Sequence, residues 1–256
     1  MEGIFEPEWP APPNVQAVIT TRRGGASEGP WSSFNMGVHV GDDQSHVSAN
    51  RNRLRQAIGL APEQVHWMEQ VHGTRLVRVP PMENCPEADA AWTDLPGNAC
   101  VVMTADCLPV LFCDRNGERV AVAHAGWRGL ADGILEKTLS VFSGPANVLA
   151  YLGPAIGPQA FEVGPEVRAR FLAGDEWSHI HFTPGAPSDG TDGGWYADLY
   201  GLARQRLSKA GLSEVYGGDF CTYRDEDDFY SYRRDGTTGR MASLIWLDRA
   251  PGPRYR

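Results

Sequence analysis

Three side chains suited to hold a soft or borderline metal ion stand at the ends of predicted strands. They are His72 in Gln70-Val71-His72-Gly73, Cys107 in Thr104-Ala105-Asp106-Cys107-Leu108-Pro109, and His124 in Ala123-His124-Ala125-Gly126-Trp127-Arg128-Gly129. Zinc is bound tetrahedrally by thiolate and imidazole, and three protein ligands with one open position describe a catalytic site rather than a structural one. The three are far apart in sequence, so a second reading stays open: a buried cysteine and two hydrogen-bonded histidines. His124 ends an apolar strand and precedes Gly126 and Gly129, which allow close backbone approach. The helix start that follows offers N–H groups to an anion. Asp106, beside Cys107, is expensive to bury without a role, and its plainest role is an Asx turn.

Two further stretches carry cations beside turns or aromatics. Thr20-Thr21-Arg22-Arg23-Gly24-Gly25 could hold a phosphate through guanidinium forks and backbone donors, or form a turn with solvated arginines. Phe229-Tyr230-Ser231-Tyr232-Arg233-Arg234-Asp235 could stack a planar base and bind an anion, or be an amphipathic strand. His179-Ile180-His181 lies in a polar stretch and reads as a solvated pair; Trp92 and Trp127 read as core residues that could line a pocket.

The elements that must position these residues are short. Apolar runs and alternation predict strands at Val15–Thr20, Val65–Glu69, Leu76–Val79, Ala99–Thr104, Leu108–Cys113, Val120–Ala125, Val148–Leu152, Phe161–Val163, Val215–Tyr216, Phe229–Tyr232 and Met241–Leu247. Helical spacing predicts Ser45–Ile58, capped by Ser45 and ended by Gly59, then Leu130–Phe142, Pro165–Leu172 and Ala197–Ala210. Asn116-Gly117 marks a hairpin. Thr21–Asp43, Pro80–Asp89 and Trp177–Gly194 read as loops, the first long enough to suggest a functional role. Residues 1–14 read as a Pro-rich extension over the surface, and 15–256 as one domain.

Composition narrows the classes. The chain has 256 residues, 42% of them apolar, which excludes a disordered chain. A net charge of −9 argues against a general nucleic-acid binder, because neutralising phosphates needs surplus Lys and Arg. No apolar run is long enough for a membrane span, and the acidic start lacks the features of a secretory signal. Five cysteines without a Cys-x-x-Cys pair point to a reducing, cytoplasmic setting rather than a disulfide framework.

Taken in order, the motifs resemble the bacterial laccase-domain family, also called the multicopper polyphenol oxidase or peptidoglycan editing factor family. The resemblance runs from about Val15 to Leu247. It rests on the stretches quoted above together with Ser33-Phe34-Asn35-Met36-Gly37, Val40-Gly41-Asp42, Gly153-Pro154-Ala155-Ile156-Gly157, Cys221-Thr222 and Gly239-Arg240. Met36 stands where Leu is more usual, a volume-conserving exchange. The resemblance implies an α/β (α+β) fold: a single-domain sandwich of mixed sheets flanked by helices, similar to toxin deamidases. It implies zinc on His72, Cys107 and His124. It also implies purine nucleoside phosphorylase activity on adenosine, inosine and S-methyl-5′-thioadenosine, with ancillary adenosine deamination.

On this reading Cys107, His124 and Asp106 serve catalysis, Asp106 as proton shuttle. Arg22, Arg23, Asn35, Arg128, Arg233 and Arg234 serve substrate. The expected partners are a purine nucleoside and phosphate, with no nucleic acid and no membrane, on a monomer or weak homodimer. Two alternatives carry different chemistry. A Cys107–His124 thiolate–imidazolium pair could attack an amide and edit peptidoglycan precursors; a zinc-bound thiolate would be a poor nucleophile for that task. Copper-dependent polyphenol oxidation is the other, but seven histidines with a single His-x-His pair are few imidazoles for a multicopper enzyme.

Overall fold

The computed structural model describes residues 2–185 and 194–248. Part of the loop predicted at Trp177–Gly194 and the tail of the predicted 15–256 domain therefore lie outside the described residues. Two sheets face each other. The first has the spatial order β1 (Ile4–Phe5), β2 (Val15–Thr20), β14 (Met241–Leu247), β6 (Ala99–Thr104), β3 (Val65–His66). The second has the order β13 (Val215–Gly217), β9 (Val148–Leu152), β7 (Leu108–Asp114), β8 (Val120–Ala125), β5 (Ala90–Thr93), β4 (Leu76–Arg78). Both are mixed: β3 runs parallel to β6, β4 to β5 and β13 to β9, while the remaining pairs are antiparallel. A small third sheet orders β10 (Glu162–Val163), β12 (Trp195–Ala197), β11 (Phe182–Pro184).

The period of two in the strands explains the layers. Ala17 and Ile19 of β2, Cys100 and Val102 of β6 and Ile245 and Leu247 of β14 meet Leu111, Val120, Val122 and Leu149 of the second sheet between the layers. Alternate residues of the first sheet, among them Val18, Val101, Leu244 and Trp246, face outward onto Leu54 of α1 (Gln44–Ile58). Alternate residues of the second sheet, Val110, Phe112, Ala121 and Ala123, pack on four helices. These are α2 (Trp127–Ala131), α3 (Ile134–Leu139), α4 (Pro165–Gly174) and α5 (Leu199–Lys209). Each fully buried large aliphatic contributes about 1.5–3 kcal/mol, so both faces of both sheets are held. No helix among the described residues is long and apolar enough to cross a membrane.

Several local expectations need correction. Helix α1 is capped by Asp43, whose carboxylate accepts the Ser45 N–H at 2.7 Å; Ser45 is already inside the first turn. The single helix expected over Leu130–Phe142 is two, broken at Gly133, whose φ of 98° no α-helix tolerates. Phe229–Tyr232 is not a strand: Ser231 accepts the Arg234 N–H and caps the single turn α6 (Tyr232–Asp235). Strand β5 follows the predicted Pro80–Asp89 loop and is not itself predicted, because its four residues, Ala-Ala-Trp-Thr, show no alternation. The N-terminal extension is stitched in, since Ile4–Phe5 pairs with Ile19–Thr20.

Four connections leave one sheet and enter the other. Residues 67–75 join β3 to β4, residues 105–107 join β6 to β7, residues 218–240 join β13 to β14, and residues 94–98 join β5 to the far end of β6. Thr104 at the end of β6 lies opposite Met241 at the start of β14, so the second and third crossings meet at one end of the sandwich.

Candidate functional site

The crossings and the end of β8 bring His72, Cys107 and His124 together. One donor atom from each lies within 4.8 Å of the others. Cys107 Sγ is 3.8 Å from His72 Nε2, and the two imidazole rings meet edge to face at 4.8 Å between centroids. Donors around a tetrahedral zinc stand about 3.3–3.8 Å apart, given Zn–N and Zn–S distances of about 2.0 and 2.3 Å, so these three residues fit such an ion after small side-chain shifts. His124 has the parity of Val120 and Val122 and therefore points into the gap between the sheets. His124 is buried, Cys107 half-buried and His72 exposed, which leaves one side of the cluster open.

Asp89 sets the cluster's geometry. Its Oδ1 lies 2.8 Å from His124 Nδ1, which assigns that nitrogen the proton and leaves Nε2 as the donor. The same carboxylate accepts the backbone N–H groups of His72 at 2.9 Å and Gly73 at 2.7 Å. One buried anion thus orients one imidazole and fixes the turn that carries the other. His72 itself sits at φ 61°, in the left-handed region. Gly126 explains the glycine after Ala125: a Cβ there would lie 2.9 Å from the His72 ring and 3.1 Å from Cys107 Sγ.

Burial opposes ionisation of Cys107, but the charge of His124 and hydrogen bonding with both imidazoles outweigh it and hold the thiol below its usual range. Burial also opposes a charge on His124, and here Cys107 and Asp89 outweigh it, favouring imidazolium. Both directions describe one thiolate–imidazolium pair in the metal-free protein.

A cavity of about 500 Å³ opens over the cluster. Trp127, Phe161 and Tyr232 supply aromatic walls, while Arg128, Arg233 and Arg240 supply positive charge. His39 and Gln70 also face it. Burial, with the nearby charges of Arg240 and Arg51, lowers the His39 pKa, so this imidazole is neutral and offers hydrogen bonds rather than charge. Gln70 bridges both backbone groups of Met103, tying the His72 segment to the end of β6.

The residues assigned to substrate from sequence divide. Arg128 and Arg233 line this cavity. Arg22, Arg23, Asn35 and Arg234 do not. Arg22 donates to the carbonyls of Ser32 and Glu226, and Arg23 to that of Asp227 while pairing with Asp228 at 2.8 Å. Arg234 donates to the carbonyls of Thr222, Tyr223 and Phe229 and pairs with Asp235. Arg22 and Arg234 border a separate cleft with Glu226, Asp227 and Asp235, where Asp235 already pairs with Arg234. Asn35 is wholly buried and accepts the N–H groups of Gly37 and Arg240.

Asp106 lies in the cavity wall, but both oxygens are engaged: Oδ1 accepts the Thr222 hydroxyl at 2.7 Å and Oδ2 the Arg233 N–H at 2.6 Å. This is the geometry of a clamp, not of a shuttle awaiting a proton. His179 and His181 lie outside the cluster, and Trp92 packs in the core beneath Arg78 and Arg119. Sequence reasoning missed Asp89, His39, Gln70 and Arg240. Asp89 had a signal, since an acid in Ala88-Asp89-Ala90-Ala91 is costly unless it is used.

Comparison with known proteins agrees with this architecture. Residues 16–248 match the family described as multi-copper polyphenol oxidoreductase laccase. The purine nucleoside phosphorylase YfiH of Escherichia coli is 50% identical over 249 residues, covering 96% of this chain and 100% of that protein. A purine nucleoside phosphorylase of Haemophilus influenzae is 47% identical over 249 residues, covering 97% and 100%. A crystal structure of a Neisseria meningitidis protein superposes with a TM-score of 0.90 at 48% identity, covering 97% of this chain and 100% of the other. YlmD from Geobacillus stearothermophilus gives 0.80 at 33% identity, covering 93% of each. The chain belongs to the multi-copper polyphenol oxidoreductase laccase family.

Proposed function

We propose that this protein is a zinc-dependent purine nucleoside phosphorylase. It cleaves adenosine, inosine and S-methyl-5′-thioadenosine with phosphate, releasing the free base and the corresponding sugar 1-phosphate. The observation that carries this reading is the cavity itself, where the His72–Cys107–His124 cluster meets aromatic walls and guanidinium groups. Its volume of about 500 Å³ suits a nucleoside and an anion together. The names of the relatives in Escherichia coli and Haemophilus influenzae support the same activity.

In the reaction an oxygen of hydrogen phosphate bonds to C1′ as the C1′–N9 bond breaks, the electron pair leaves with the base, and the proton of the hydrogen phosphate ends on the base. The arginines neutralise the incoming phosphate, Trp127 and Phe161 offer faces for the base, and Asp89 holds His124 rigid. His72, Cys107 and His124 would hold the zinc, which would supply Lewis acidity to the cavity. The ancillary adenosine deamination belongs to the open side of the cluster: water would add at C6 and the amino group would leave as ammonia, giving inosine without phosphate.

Copper fits less well. A blue-copper site adds a weak axial methionine to two His and one Cys. Met103 lies in the wall, yet its sulfur is 3.7 Å from the Arg51 guanidinium and engaged there. Among the described residues this is also the single cluster of three potential ligands, too few for several copper ions. The amide hydrolase alternative requires Cys107 without metal.

Turnover of adenosine by zinc-loaded protein, with and without phosphate and with products separated, tests the proposal. Adenine formed only with phosphate is the expected result. No product under either condition would sink the nucleoside reading and favour the Cys107 hydrolase.

A further inference from the structure

The chain carries a net charge of −9, yet three arginines converge on one cavity. None of the ion pairs among the described residues includes Arg128, Arg233 or Arg240, while nine other arginines do have carboxylate partners. Their donors are also largely unspent. Arg240 uses Nη1 on the carbonyls of Thr238 and Gly239, at 3.1 and 2.9 Å, which leaves Nε and Nη2. Arg233 uses Nη1 on the Glu162 carbonyl at 2.8 Å, which again leaves Nε and Nη2. Arg128 stacks on Trp127 at 4.3 Å and donates no side-chain hydrogen bond among the described residues.

Three like charges facing one cavity repel each other, and an anion placed between them removes the penalty. The anions on the walls offset this only in part: Asp106 forms no ion pair with the three guanidinium groups and spends its oxygens on the Thr222 hydroxyl and the Arg233 backbone N–H, and Cys107 belongs to the metal cluster. A guanidinium presents paired donors that match the oxygens of a phosphate.

We propose that Arg128, Arg233 and Arg240 form the docking subsite for the phosphate co-substrate, and that Asp106 is the positioning residue that holds Arg233 in it. This rests on the phosphorylase reading and assigns that reaction's phosphate to residues, in place of Arg22, Arg23 and Arg234. The clamp is specific. Asp106 stands at φ 92°, strained for a residue with a side chain, and its own carbonyl accepts the Ile156 N–H at 2.9 Å. Its Oδ2 fixes the backbone of Arg233, in a helix of only four residues that has little stability of its own. Asn35 does the corresponding work for Arg240, accepting its N–H at 2.9 Å. The same chemistry would suit the phosphate ester of a nucleotide, so the test separates the two sources.

The test is calorimetric titration of inorganic phosphate into the zinc-loaded full chain, with melting curves on every variant. Arg233→Gln and Arg240→Gln should each weaken phosphate at least tenfold, and Lys at either position should restore part of the loss. Arg23→Gln should change nothing. Asp106→Asn can still accept the Arg233 N–H and should bind phosphate nearly as the parent does, whereas Asp106→Ala should weaken it severalfold. The KM for phosphate should rise with the KM for nucleoside little changed.

Unchanged phosphate affinity in folded Arg233→Gln and Arg240→Gln would overturn the subsite, even with phosphate-dependent cleavage intact. Loss of that cleavage in the parent protein would instead strike the phosphorylase reading. Binding of adenosine 5′-monophosphate but not of inorganic phosphate, with the same arginine dependence, would overturn the assignment to the co-substrate.

Discussion

Asp89 and His124 form a buried carboxylate–imidazole pair, Oδ1 to Nδ1 at 2.8 Å, and the turn carrying His72 hangs from the same carboxylate. Two cluster residues separated by 52 positions therefore share one anchor. Asp89→Asn would turn an amide N–H toward the backbone N–H groups or the ring. Metal affinity should fall about 10–100-fold, read by competition with a chromogenic chelator.

The same substitution has a pH signature. Burial raises the Asp89 pKa, but the His124 hydrogen bond and charge, with the Gly73 and Val71 N–H groups, outweigh it and hold the carboxyl below its ordinary value. A folded-state pKa below the unfolded one stabilises above about pH 4 and is lost as the pH falls through and below that value. Acid unfolding of metal-free Asp89→Asn should show a shallower loss of stability below about pH 4 than the parent. An equally steep loss would show that other carboxylates govern it.

Cys107→Ala should abolish stoichiometric zinc and phosphorolysis while leaving the far-ultraviolet spectrum intact, since the residue sits on a crossing rather than in the core. Full turnover by this variant would remove the cluster from the mechanism.

Thiol labelling reads the same site without activity. In metal-free protein near neutral pH, iodoacetamide should modify exposed Cys85 and half-buried Cys107. Cys100, Cys113 and Cys221 are buried, and burial pushes the Cys113 thiol up to about 12. Zinc should protect Cys107 alone, read by peptide mass spectrometry.

Gly126→Ala places a methyl group against the His72 ring and Cys107 Sγ. Overpacking costs about 1–3 kcal/mol, and here it falls on the cluster. Metal affinity should drop on the order of tenfold, with little change in the melting temperature of the metal-free protein.

Leu111→Ala serves as the contrast. Leu111 is wholly buried between the two sheets. Its truncation should cost about 2–5 kcal/mol of stability, measured by denaturant unfolding, with metal stoichiometry unchanged in the folded fraction.

Strong apolar runs such as Val120–Ala125 and Met241–Leu247 are legible as strands from residue types alone, because burial on both faces selects such runs. The side chains of His72, Cys107 and His124 are also legible in this way, because each is able to bind metal and each stands at a junction of strand and turn. Residue types do not decide which cations share the cluster's cavity. Arg233 and Arg234 are neighbours in sequence, yet one lines the cavity and the other is spent on carbonyls of its own loop, because consecutive residues on a helical turn point in different directions. Arg22 and Arg23 follow a strand and precede glycines, a pattern that suits a phosphate loop, but carbonyls around Asp227 consume them first. Asp89 stands out as an acid among alanines, but its role does not, since its partners His124 and Gly73 are set by strand pairing between β5 and β8 and by the crossing after β3. Strand-end chemistry is local and can be read from residue types. The meeting of three crossings at one end of a sandwich is a property of long-range pairing, which no local pattern of residues encodes.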